Sequence, residues 1–391
     1  MPENTRKPGR HFLQLPGPTN VPDRVLHAIA LPTIDHRGPD FSVLAREVLA
    51  GLQPVFQTTG PVAIFAASGT GAWEAALVNT CSPGDTVLMV RTGWFATLWE
   101  QMAARLGLLT QIIETDWRRG ADPAAIATAL RADTAHRIHA VCVVHNETST
   151  GCTSPIAAIR AAIDAERHPA LLLVDTISSL ASIDYRHDAW GVDVTVAGSQ
   201  KGLMLPPGLS FNAIGPKALA ASERVKTPRS YWDWQPMLAA NEAGWFPTTP
   251  ATNLLSGLRE ALAMLQEEGL ANVFARHARH GAAARAAVAA WGLELQCAEP
   301  RDYSGALTAV RLPNGHSADA LRALILRRFN MSLGNGLGQL KDRVFRIGHL
   351  GDLSDVQLAG TLAGVEMGLK LAGVPYRAGG VQAALAVLAE G

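Results

Sequence analysis

The sequence predicts an α/β protein: a mostly parallel β-sheet with helices on both faces, joined to a smaller C-terminal α+β domain. Three observations carry this. Between about residue 60 and 215, short apolar runs alternate with longer helical stretches, the pattern of strands buried on both faces and linked by helical crossovers. Beyond about residue 255 the alternation gives way to long helices with a few separate strands. Of the 391 residues, 48% are hydrophobic, enough for the core of a two-domain protein.

The elements follow in order. Leu13 to Pro22 is rich in Pro and Gly and reads as an extended segment that packs on something larger than itself. Val62 to Phe65 is a strand, followed by the turn Gly69-Thr70-Gly71 and a helix containing Trp73, Ala76 and Leu77. Asp85 to Val90 is a strand and Phe95 to Leu106 a helix. Ala140 to Val144 is a strand, Ile156 to Ala165 a helix, and Leu171 to Asp175 and Val194 to Ala197 are strands. Leu258 to Glu268 and Ala271 to Trp291 have apolar residues at helical spacing. Leu307 to Arg311, Ala318 to Arg328 and Val344 to Ile347 read as strand, helix, strand. The two domains meet near residue 268 without a Gly/Ser linker.

Charge and cysteine usage narrow the function. With 34 basic and 34 acidic residues the formal charge is zero, which speaks against nucleic acid or an anionic membrane as partner. Cys81, Cys142, Cys152 and Cys297 show no C-x-x-C pair and no zinc spacing, so they read as reduced, buried thiols of a cytoplasmic protein. Met1 to Lys7 carries charge with no apolar run behind it, so neither secretion nor a membrane span is expected.

Four features carry chemistry. Lys201, one of only six lysines, lies in Gly198-Ser199-Gln200-Lys201-Gly202 directly after a strand, where desolvation can lower the amine's proton affinity and ready it as a nucleophile. Asp175 ends an otherwise apolar strand, and a carboxylate there needs a cation or several donors; it otherwise caps the next helix. Ala67-Ser68-Gly69-Thr70-Gly71 joins strand to helix; it suits a phosphate at a helix N-terminus as well as an ordinary turn. Arg346 sits inside the apolar strand Phe345-Arg346-Ile347, where it faces either a bound carboxylate or an internal acid. Taken together in this order, phosphate turn, strand-end carboxylate, strand-end lysine and carboxylate-binding arginine are what pyridoxal 5′-phosphate chemistry on amino acids requires. His145-Asn146-Glu147-Thr148 adds polar groups at the same rim without a matching ligand set, so no metal is expected. His36-Arg37 reads as a loop pair or a substrate contact. Trp232, Trp234 and Trp245 read as core or interface.

The motifs Pro16-Gly17-Pro18-Thr19-Asn20, Ser68-Gly69-Thr70-Gly71 with Glu74-Ala75-Ala76, His145-Asn146-Glu147-Thr148, Gly198-Ser199-Gln200-Lys201-Gly202 and Phe345-Arg346-Ile347-Gly348 make the chain resemble the class V aminotransferases over nearly its whole length, the serine–glyoxylate and alanine–glyoxylate enzymes most of all. The resemblance implies the fold type I of pyridoxal-phosphate transferases, with a seven-stranded sheet. It implies an extended segment, residues 1–22, packing on a partner subunit, a large domain over 23–268 and a small domain over 269–391. It makes Lys201 the Schiff-base lysine and Asp175 the partner of the ring nitrogen. Phe95 would stack on the ring, Ser68, Gly69, Thr70 and Gln200 would hold the phosphate, and Thr148 and Ile177 would complete the cofactor contacts. Arg346, with Arg37 and Asn20, would bind substrate. In a homodimer Thr248 and the preceding aromatic would reach the phosphate across the interface; Trp245 stands where relatives commonly carry tyrosine. The activity implied is transfer of an amino group from a small L-amino acid, serine first, to glyoxylate, giving glycine and hydroxypyruvate. Aspartate, 3-hydroxyaspartate or alanine are the alternative donors. Outside this class stand a cysteine-desulfurase-like lyase and a non-catalytic cofactor-binding protein.

Overall fold

A computed structural model describes residues 9–390; the charged stretch Met1 to Lys7 and the start of the 1–22 segment lie outside them. The chain opens with strand β1 (Phe12–Gln14) and helices α1 (Asp23–Ile29) and α2 (Pro39–Phe56). Seven strands then build the large sheet. β2 (Val62–Phe65) leads into α3 (Gly69–Thr80), β3 (Thr86–Arg91) into α4 (Trp94–Arg105), and β4 (Leu109–Glu114) into α5 (Pro123–Ala132). β5 (Ile138–Val144) is followed by the short pair β6 (Asn146–Glu147) and β7 (Cys152–Thr153) and then α6 (Ile156–Ala165). β8 (Leu171–Asp175), β9 (Val194–Gly198) and β10 (Ser210–Ile214) complete it.

The seven strands lie in the order β2-β10-β9-β8-β5-β3-β4. β4, β3, β5, β8 and β9 pair parallel, whereas β10 runs antiparallel to both β9 and β2. Sequence pattern explains the layering. Every residue of β2, β8, β9 and β10 is buried, because helices cover both faces and leave no side for polar alternation. One core contains Val62, Ile64, Leu172 and Val174 under α2 and the later helix Thr252–Glu268; the other contains Ala63, Phe65, Leu171 and Leu173 under α3 and α4. Alternate residues of one strand therefore feed opposite layers.

After α7 (Pro216–Ser222), α8 (Trp234–Glu242) and α9 (Thr252–Glu268), the chain turns at Gly269 into α10 (Leu270–Trp291). A second sheet follows, built from β11 (Glu294–Leu295), β12 (Leu307–Arg311), β13 (Met331–Asn335) and β14 (Val344–Gly348), with α11 (Ala318–Phe329), α12 (Asp355–Leu371) and α13 (Gly380–Ala389) packed on it. Its order is β1-β13-β14-β12-β11. The leader strand β1 is thus its edge, pairing parallel with β13 through Phe12↔Met331 and Gln14↔Leu333. The extended leader does pack on something larger: the C-terminal sheet of its own chain. The four cysteines are free and buried, and among the described residues no helix is long and apolar enough to cross a membrane.

Candidate active site

The carboxyl ends of β8 and β9 open side by side, the register pairing Asp175 with Val196. That edge of a parallel sheet is where α/β folds collect ligands, and the charged residues singled out above gather there. Lys201 follows β9 by three residues and is the one buried lysine among the described residues. Its Nζ donates a 2.5 Å hydrogen bond to the Pro16 carbonyl. Burial, reinforced by the Arg346 charge and opposed by Asp175, pulls the amine down to about 7.

Asp175 is 3% exposed. Its Oδ1 accepts from the Ile177 N–H at 2.7 Å and its Oδ2 from the Trp73 indole N–H at 2.9 Å. Burial pushes the carboxyl up to about 7 against those two donors; the nearby Glu147 pushes the same way and Lys201 opposes. No arginine, lysine or histidine pairs with Asp175 within 4.0 Å among the described residues. A carboxylate so enclosed is suited to a cation that arrives with a ligand.

Arg346 on β14 faces the same space. Its Nε donates to the Asn335 carbonyl at 2.8 Å and its Nη1 to the Thr148 carbonyl at 2.8 Å. These leave Nη2 without a partner among the described residues, so part of the fork remains for a ligand carboxylate. Burial draws the guanidinium down to about 10, with Glu147 opposing.

The glycine turn lies against the end of β9. Ser68 is the N-cap of α3 yet its side chain makes no capping bond, leaving hydroxyl and first-turn N–H groups for another acceptor. A Cβ placed at Gly198 would be 3.4 Å from the Gly69 nitrogen and 3.1 Å from Gln200 Oε1, so the turn and Gln200 converge. Gln200 Oε1 is buried and unpartnered. A helix N-terminus with free N–H groups fits a phosphate, and the Gln200 amide would offer it the Nε2–H donors, the Oε1 acceptor being left for another donor. Thr148 donates to Ser178 Oγ at 2.7 Å, and Ser178 in turn donates to the Asn146 carbonyl at 2.8 Å.

Phe95, second residue of α4, stands beside Trp73 at 6.4 Å between centroids. Its position is set by Glu147, a residue the sequence marked only as a rejected metal ligand. Glu147 is fully buried and accepts from the Phe95 and Ala96 N–H groups at 3.4 and 3.1 Å, and from Ser149 N–H and Oγ at 3.0 and 2.6 Å. It closes the N-terminus of α4, where a carboxylate is also favoured by the helix dipole. His145 is a structural neighbour, bonded to Ser179 Oγ at 2.9 Å and lowered by burial to about 4.

The other anticipated residues fall elsewhere. Arg37, Trp245 and Thr248 line one cleft of about 280 Å³ with His36, Phe246 and Pro247, which neither Lys201, Asp175 nor Arg346 enters. Trp245 stacks on Phe41 at 6.3 Å. The Asn20 amide donates to the Leu13 carbonyl at 3.0 Å and lines a separate cleft with Arg10, Gln14 and Arg24. Its neighbour Thr19 is the residue that meets the lysine loop, through Thr19 N–H to the Gln200 carbonyl at 3.1 Å. Sequence reasoning missed Trp73 and Glu147 as site residues. For Trp73 a signal existed: a buried indole N–H needs an acceptor, and Trp73 lies three residues beyond Thr70 in the same turn-to-helix motif.

Comparison with known proteins agrees with this geometry. Residues 11–339 match the family model described as aminotransferase class-V. The chain is 49% identical to a serine–glyoxylate aminotransferase of Methylorubrum extorquens, covering 99% of this chain and 98% of that protein. It is 45% identical to an L-aspartate–glyoxylate aminotransferase of Paracoccus denitrificans, covering 95% and 94%. Among solved structures, a pyridoxamine–pyruvate aminotransferase of Mesorhizobium loti superimposes with a TM-score of 0.91 at 30% identity, covering 100% of this chain and 99% of that one. With strand-end lysine, buried acid and half-free arginine fork in place, the chain belongs to the class V aminotransferases.

Proposed function

We propose that the protein is a pyridoxal 5′-phosphate-dependent aminotransferase that moves an amino group from L-serine to glyoxylate, giving hydroxypyruvate and glycine. The observation that carries it is the grouping, near the ends of β8 and β9, of the one buried lysine among the described residues, a buried acid without a cation and, from β14, an arginine with a free Nη2. When bound, the cofactor supplies an aldehyde that takes up the amino group and a ring that withdraws electrons from the bond to be broken.

The residues divide the remaining work. Lys201 Nζ would hold the cofactor and, once freed by substrate, would move a proton from the substrate's α-carbon to the cofactor's aldehyde-derived carbon; an amine near 7 is half neutral at pH 7. Asp175 would keep the ring nitrogen protonated, and Ile177 lies against the glycine turn. Ser68, Gly69, Thr70 and Gln200 would hold the phosphate. Phe95, on a turn fixed by Glu147, would stack on the ring, and Thr148 would contact its hydroxyl. Arg346 Nη2 takes the substrate carboxylate. The names of the two curated relatives support glyoxylate as acceptor; their donors differ, and the higher identity favours serine.

The reading extends to a cytoplasmic homodimer, with residues 1–22 reaching the partner subunit, 23–268 as the cofactor domain and 269–391 as the small domain. In it Arg37, Trp245 and Thr248, gathered in one exposed cleft, serve the site across the interface. Nothing favours the lyase alternative: Cys297 is 5% exposed and bonded through its thiol to the Glu299 carbonyl, not a mobile thiol.

Lys201→Ala tests the assignment. Turnover of serine with glyoxylate is expected to vanish together with the absorbance of lysine-bound cofactor. Full multiple turnover in that variant would refute it. Initial rates with serine, alanine and aspartate against glyoxylate identify the donor, serine being expected fastest.

A further inference from the structure

Lys201 does not extend freely into the site. Its Nζ is met by the Pro16 carbonyl at 2.5 Å, although Pro16 precedes it by 185 residues. Pro16 belongs to the strap Leu15–Thr19, which leaves β1 and crosses to the large domain. Both ends of the strap are tied. At one end it lies on the strands that carry Arg346: a Cβ at Gly348 would fall 2.7 Å from the Pro16 nitrogen, and one at Gly334 2.8 Å from Pro16 Cδ. At the other end Thr19 N–H donates to the Gln200 carbonyl at 3.1 Å, and Thr19 Oγ1 to the Lys201 carbonyl at 3.3 Å.

Gly17 allows the crossing. Its φ is +92°, a conformation that disfavours side chains, and a Cβ there would stand 2.5 Å from Lys201 Nζ and 2.6 Å from its Cε. The lysine chain therefore occupies the volume that a methyl at position 17 would need. We propose that the Pro16–Gly17 backbone is a positioning element for the cofactor lysine, the Pro16 carbonyl fixing where Nζ stands and the absent side chain of Gly17 giving the lysine its channel. The inference rests on the reading of Lys201 given above.

Physical chemistry favours a carbonyl in this role. A lysine side chain has a flexible four-carbon stem, so an unheld amine would sample several positions. A carboxylate at the same distance would hold it, but as an ammonium ion that cannot attack. A peptide carbonyl accepts an N–H from the neutral amine as well as, more strongly, from the charged one; lacking a full negative charge, it orients the amine while holding its proton far less firmly than a carboxylate would. The strap also ties that orientation to the strands bearing Arg346, keeping the amine and the carboxylate fork in one frame.

A double-mutant cycle read by cofactor affinity tests this. Pyridoxal 5′-phosphate is titrated into cofactor-free wild type, Gly17→Ala, Lys201→Ala and the double variant, and thermal midpoints of the same cofactor-free proteins are recorded. The backbone strain of alanine at position 17 is common to both backgrounds and cancels. Gly17→Ala is expected to weaken binding about tenfold or more when Lys201 is present, and less than about threefold when Lys201 is alanine. If Gly17→Ala alone is too unstable to titrate, Lys201→Ala is expected to restore its thermal midpoint toward that of the Lys201→Ala single variant. Equal losses in both backgrounds, in affinity and in midpoint, would overturn the positioning role while leaving the lysine assignment intact. Persistence of the lysine-bound absorbance in Lys201→Ala would instead overturn the assignment and the proposal with it.

Discussion

Asp175→Asn is expected to make the cofactor-free protein more stable while making it useless as an enzyme. The carboxyl is buried, has no cation within reach, and is pushed up to about 7 from an ordinary 3.8. That difference corresponds to roughly 4 kcal/mol by which burial disfavours the charged form. Asparagine removes the charge but not the geometry. Asp175 is met by two donors, Ile177 N–H and Trp73 Nε1–H, so one of them would face the new NH2 and lose its acceptor, at a cost of about 1–3 kcal/mol. The net gain is therefore about 1–3 kcal/mol in mildly alkaline solution. The pH dependence follows from the same shift. Asp175 takes up its proton near 7 when folded and near 4 when unfolded, so its stabilising protonation is complete below about 4 and lost as pH rises through about 7. Urea unfolding of both cofactor-free proteins between pH 5 and 8 measures it: the stability of Asp175→Asn relative to wild type should climb with pH and be positive at pH 8. A difference that stays flat across that range, or a wild type more stable at pH 8, would refute the reasoning.

Two further substitutions probe the site from either side of the substrate. Arg346→Ala removes the half-free fork, and losing one partner of a buried carboxylate pair costs about 2–5 kcal/mol; the KM for glyoxylate should rise roughly 30-fold or more in steady-state assays. Trp73→Phe keeps a ring against Trp99, with which Trp73 stacks at 5.9 Å, but deletes the donor to Asp175 Oδ2. Loss of a hydrogen bond to an ionised group, worth about 1.5–3 kcal/mol, raises the acid's proton affinity further. Cofactor binding should weaken about tenfold at pH 7 and much less at pH 9; equal effects at both would place the indole's role in packing instead.

The residues that could be read from the sequence are those whose chemistry contradicts their surroundings. Asp175, Lys201 and Arg346 are each a charge at or inside an apolar run, and each lies in the gathered site. Likewise β2, β8 and β12 were legible because they are short runs of apolar residues bounded by turns, and the structure places them at the same residues. β10 escaped notice because Ser210 and Asn212 interrupt its pattern. Asn212 is nonetheless fully buried, satisfied by Trp234 Nε1 and the Ala72 carbonyl. β4 is an edge strand with Leu109 and Glu114 exposed, and carries too weak a stripe to distinguish it. Glu147 and Pro16 were missed for a different reason. Their partners lie 51 and 185 residues away, and no local pattern records a contact of that span. Arg37 and Asn20 lie in clefts of this chain apart from Lys201, where a contact to a site completed by a second subunit leaves no mark in the local sequence.

The parallel pairing of β1 with β13 has a consequence for synthesis. Phe12 leaves the ribosome more than three hundred residues before Met331, the residue opposite it, so the earliest segment must wait, unpaired, for nearly the whole polypeptide. Because that segment also leads to Pro16 above the catalytic amine, a nascent or truncated product cannot assemble a complete pocket. Synthesis of β13 and closure of the lysine's surroundings are thereby coupled.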